Sequence, residues 1–73
     1  MKAYHCRAGL VCLHRTQTGE LVLVAHYDGR HEYPTIVNNR LQWSKNTPHA
    51  IRQAAARAWR QQQAIERKQH AAR

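Results

Sequence analysis

After Pro48 nothing in this chain stops a helix. The segment NTPHAIRQAAARAWRQQQAIERKQHAAR (46–73) is rich in Ala, Gln, Arg, Glu and Lys and holds no Gly. Such residues lose little rotamer freedom on entering a helix. Thr47 can serve as N-cap through its hydroxyl, and Pro48 suits the first helical position, where no N–H is needed. Ile51, Ala54, Ala55, Ala58, Trp59, Gln62 and Ile65 recur three and four apart, a narrow apolar stripe that must dock on something. The opposite side carries Arg57, Arg60, Arg67 and Lys68. The spacing predicts a helix over 48–66. Beyond Glu66 there is no large apolar residue and no cap, so 67–73 is expected to be a flexible basic tail on a single small domain, 1–66.

The residues before the helix follow a different period. Ala3 to Arg15 suits an extended strand, with Tyr4, Cys6, Ala8, Leu10, Cys12 and His14 on one face unless a bend at Gly9 changes the parity. Thr16-Gln17-Thr18-Gly19 is a hairpin turn with Gly19 in the left-handed position. Glu20 to Tyr27 is apolar on both faces through Val24, the mark of a central strand. Asp28-Gly29 is the strongest hairpin signal in the chain. Arg30 to Val37 is a third strand that Pro34 confines to an edge or a bulge. Asn38-Asn39 turns the chain again, and Arg40 to Trp43 is a short fourth strand or an extended lead into the helix. The predicted class is α+β: a small antiparallel meander of three or four strands within 3–43, followed by one basic C-terminal helix with a frayed tail. A single helix covers only one face of such a sheet. Val22 and Val24 point opposite to Leu21 and Leu23, so one apolar side calls for a second molecule, a partner protein or a sharp curl.

Charge narrows the partners. Twelve Lys and Arg against four Asp and Glu give a net charge of +8 and a pI near 10.6. Half of those cations lie in 46–73, which has one acid. That balance favours a polyanion or an acidic surface beyond what solvation of a helix face requires. Arg7, Arg15, Arg30 and Arg40 are candidates for nucleic-acid contact from the strands, and Arg57, Arg60, Arg67 and Lys68 from the helix. Tyr33 is expected to be partly exposed, and Trp43 and Trp59 to be core. Two cysteines are too few for a disulfide framework, no signal-peptide pattern precedes them, and the apolar run Leu21 to Ala25 is too short for a membrane span. A cytoplasmic protein with reduced thiols and no membrane association is expected.

The spacing offers little for catalysis. His5, Cys6, Cys12 and His14 include zinc-type ligands, but the tight C-x-x-C knuckle is missing and His5 points away from Cys6 along a strand. Buried small hydrophobes are the simpler reading of the thiols. A catalytic His needs an orienting partner, and Glu20, Asp28, Glu32 and Glu66 form no motif with any of the six His. No enzyme activity, metal or cofactor is expected.

In length, charge and expected architecture, the chain resembles the small RNA polymerase-binding regulators of lytic Xanthomonas phages. The likeness is to the whole chain, and no motif carries it. The resemblance implies binding of host RNA polymerase near the N-terminus of the β′ subunit and the RNA exit channel, in the cytoplasm of the host bacterium. It further implies inhibition of promoter recognition and promotion of antitermination, with RNA or DNA nearby. Two other classes fit the residues: a direct DNA binder using a sheet backed by a helix, and an inhibitor of a host defence complex.

Overall fold

Four turns join paired strands in the computed structural model, which describes residues 2–71. Asp28 (φ 51°) and Gly29 (φ 69°) form one, and Asn38 (φ 51°) and Asn39 (φ 65°) another. Both pairs hold positive φ at two successive residues, matching the right-handed twist of the strands they join. Gly19 adopts φ 86°, and the Thr16–Glu20 loop closes through Thr16 N–H to Glu20 O (2.9 Å) and Gly19 N–H to Thr16 O (3.0 Å). The fourth turn, at Arg7-Ala8, uses no positive φ at either residue.

These turns delimit β1 (Lys2–Cys6), β2 (Gly9–Arg15), β3 (Leu21–Tyr27), β4 (Arg30–Glu32), β5 (Thr35–Val37) and β6 (Arg40–Gln42), followed by α1 (His49–Ala71). The first four strands form one antiparallel sheet in the order β1-β2-β3-β4, and β5-β6 is a separate two-stranded hairpin. The class is α+β, as the periodicities predict. The apolar strand β3 is interior, pairing with β2 on one side and β4 on the other.

The structure corrects three expected element bounds. Ala3 to Arg15 is two strands, folded back so that Tyr4 opposes Val11 and Cys6 opposes Gly9. Tyr4 and Cys6 therefore share a face with Val11 and Leu13, not with Leu10 and Cys12. Gly9 marks the fold-back: an added Cβ would sit 2.1 Å from the His26 carbonyl oxygen. Arg30 to Val37 is likewise two strands, interrupted at Tyr33-Pro34, because Pro has no N–H for the ladder. Finally, the helical backbone does not end at Glu66 but continues to Ala71. Ala72 and Arg73, the last residues of the expected tail, lie outside the described residues.

The helix docks by its stripe. Ile51, Ala55, Ala58 and Trp59 are buried, Ala54 and Gln62 half-buried, and Ile65 emerges at 37% exposure. Against them pack Val11 and Leu13 of β2 and Leu23, Ala25 and Tyr27 of β3. The Trp59 indole donates its N–H to Asn39 O (3.2 Å), tying the β5-β6 hairpin to the helix side of the molecule. Leu41 and Trp43 add to the same core.

Glu32 joins the sheet to the start of the helix. Its carboxylate accepts from the Tyr27 hydroxyl, from the Thr47 hydroxyl (2.8 Å), from Ser44 N–H (3.0 Å) and weakly from the Ser44 hydroxyl (3.4 Å). Thr47 thus gives its proton to Glu32 instead of capping a helix N–H, and the helix's first bond runs from Arg52 N–H to Pro48 O (3.1 Å). Burial pushes the Glu32 pKa up, but the hydrogen bonds from Tyr27, Ser44 and Thr47 outweigh it and hold the group down from 4.5 to about 2.

Candidate interaction surfaces

Strand parity gives the main sheet two unlike faces. The helix covers the face made by Tyr4, Cys6, Val11, Leu13, Leu23, Ala25 and Tyr27. The register puts Ala3, His5, Leu10, Cys12, His14, Val22, Val24, His26 and His31 on the other. No helix lies on that face among the described residues. Its centre is apolar: Val24 is buried, and Leu10, Cys12 and Val22 are half-buried. Its rim is imidazole. His5, Leu10, His26 and His31 align across all four strands, with the His26 and His31 ring centroids 6.1 Å apart. Tyr33, 60% exposed as its position suggested, stands edge-on to His31 at 5.8 Å.

The candidate cations are distributed elsewhere. Arg7, in the β1-β2 turn, meets Arg57 of the helix across a small cleft of about 180 Å³ that His5 and Gln53 also line. Arg40 of β6 meets Arg60 of the helix across a larger groove of about 390 Å³. Arg30 is exposed at the start of β4, apart from both clusters, and Arg67 and Lys68 are exposed on the last described turns of the helix. Arg15 is engaged at home: it forms an ion pair with Glu66 and donates to Gly19 O (2.8 Å). It is the one candidate cation with an acidic partner among the described residues, in a pair that leaves its side chain 47% exposed.

Sequence reasoning did not single out Arg52. It lies in the Arg40–Arg60 groove, donating to Ser44 O (2.7 Å) and Thr47 O (3.2 Å). Neither did it bring Trp43 and Trp59 to that groove. Both signals were tertiary, since they depend on where the β5-β6 hairpin docks.

The zinc-type residues separate. Cys6 lies on the helix side and Cys12 on the open side, so the four cannot surround one ion without refolding the hairpin. Among the described residues no three His, Cys, Asp or Glu stand in ligating range, and no helix is long and apolar enough to cross a membrane. Comparison with known proteins finds no matching family model, no matching curated protein and no matching solved structure.

Proposed function

We propose that this chain is a non-enzymatic transcription regulator that binds host bacterial RNA polymerase through the open face of its main sheet. The observation that carries the proposal is that face itself: half-buried Leu10, Cys12 and Val22 around buried Val24, with no helix packed on it among the described residues. An apolar patch rimmed by polar residues is the usual anatomy of a protein contact. The net charge of +8 supports a partner that works on nucleic acid, since cations away from the contact would then lie near RNA or DNA. Inhibition of promoter recognition and antitermination, in the host cytoplasm, follow from the resemblance to phage regulators. The test is capture of purified bacterial RNA polymerase at moderate salt, followed by transcription from a promoter and across a terminator. A retained complex, fewer promoter-initiated transcripts and more readthrough are expected. Absence of a complex ends this proposal.

Direct DNA binding is the second reading, favoured by the pairing of Arg40 with Arg60 and of Arg7 with Arg57. It takes a different form from a sheet laid in the major groove, because the open sheet face carries no Arg. Duplex would have to lie against the helix side. A gel shift with DNA alone that falls steeply with salt would favour it.

A further inference from the structure

We propose that the groove between the β5-β6 hairpin and α1 binds an unpaired nucleotide of a single-stranded nucleic acid, with phosphate on Arg40 and Arg60 and the base against Trp43. The groove holds about 390 Å³, within the range of sites that enclose one small planar ligand. Its apolar lining comes from half-buried Leu41 and Trp43, the largely buried Trp59 and exposed Ala56. Three arginines and no acid line it. Arg52 is pinned by the Ser44 and Thr47 carbonyls, a fixed positive charge at the helix start. Arg40 and Arg60 are exposed, and the one ion pair among the described residues is Arg15–Glu66. Their guanidinium groups are therefore available for the bidentate phosphate contacts that Arg favours.

Charge and shape together select the ligand. An aromatic wall beside unpaired cations is the arrangement that takes a base by its π-face and the backbone by its phosphates. A groove of about 390 Å³ is on the scale of one nucleotide, whereas a duplex presents its phosphates on a convex surface. An acidic peptide would satisfy the arginines and leave the indole wall without a flat partner. The site extends the proposed proximity to RNA or DNA, and it does not depend on what covers the open sheet face.

Both tryptophans of the chain line the groove, so intrinsic fluorescence reports on it directly. The experiment titrates the full chain with oligouridylate, with oligothymidylate, and with polyphosphate as a base-free polyanion. Saturable quenching by the oligonucleotides without quenching by polyphosphate is expected, and the tighter of the two identifies RNA or DNA as the source. Arg40→Gln with Arg60→Gln should weaken oligonucleotide binding by about tenfold or more, while Lys2→Gln with Lys45→Gln, which removes the same charge from exposed positions outside the groove, stays within about threefold. Thermal melting of each variant shows that it is folded. Three results overturn the inference: no quenching, equal quenching by polyphosphate, or parental affinity in the Arg40/Arg60 variant. Oligonucleotide binding by a chain that fails to capture polymerase would uphold the groove and end the polymerase proposal.

Discussion

The two faces of the main sheet are built from the same four strands, yet they have different fates. On the helix side, Val11, Leu13, Leu23, Ala25 and Tyr27 meet Ile51, Ala55 and Trp59 and are withdrawn from water. On the other side, Val24 is buried without the helix, and Leu10, Cys12 and Val22 are only half-buried among histidines. A chain of this size can form one small core and has no second helix to spend. The covered face stabilises the fold. The open face keeps an apolar centre that the helix does not cover.

The contrast predicts a graded set of mutational effects. Trp59→Ala removes a buried ring together with its bond to Asn39 O, and should cost about 3–5 kcal/mol, close to the whole stability of a small domain. A urea melt measures it, and a parental midpoint would mean that the helix does not dock. Gly9→Ala comes next. Its Cβ would meet the His26 backbone oxygen at 2.1 Å, so β2 must shift against β3. We expect a loss of about 2–4 kcal/mol by the same measurement.

Glu32→Gln probes the link between sheet and helix start, and pH gives it a sign. The folded pKa, about 2, lies below the reference 4.5. The carboxylate therefore stabilises the fold fully above 4.5, and that contribution is lost as pH falls from 4.5 through 2. At pH 7 the Gln variant should be weaker by about 2 kcal/mol. Its stability should also fall less than the parent's as pH drops between those values. Equal acid titrations would remove Glu32 from this role.

The helix stripe, the α+β class and the uncovered side of β3 were legible because they rest on local periodicity. The turns at Gly19, Asp28-Gly29 and Asn38-Asn39 were legible because only certain residues tolerate positive φ. The Arg7-Ala8 fold-back left no such mark, since neither residue takes positive φ, and Gly9 alone hinted at it. Pro34 announced an interruption, but not that β5 would leave the sheet to pair with β6 on the helix side. Of the candidate site, the exposure of Tyr33 was readable. The meetings of Arg40 with Arg60 and of Arg7 with Arg57 are tertiary, as is the pairing of Arg15 with Glu66.

The smallest stability effect belongs to the open face. Leu10→Gln with Val22→Thr should shift the melt by about 1 kcal/mol or less, because both positions already keep part of their surface in water. The same pair should weaken polymerase capture by tenfold or more, on the order of the loss expected at the apolar centre of a contact. A variant that melts like the parent and still binds polymerase like the parent would separate the open face from function.

The two cysteines give the most direct test, one thiol on each face of the sheet: Cys12 on the open side, Cys6 on the helix side, both half-buried and free. Alkylation rates of the two, read separately by mass spectrometry with and without bound RNA polymerase, compare the faces within one molecule. The account predicts that polymerase protects Cys12 and leaves the rate at Cys6 unchanged. Unchanged labelling of Cys12 in the complex, or protection of Cys6 in its place, would contradict it.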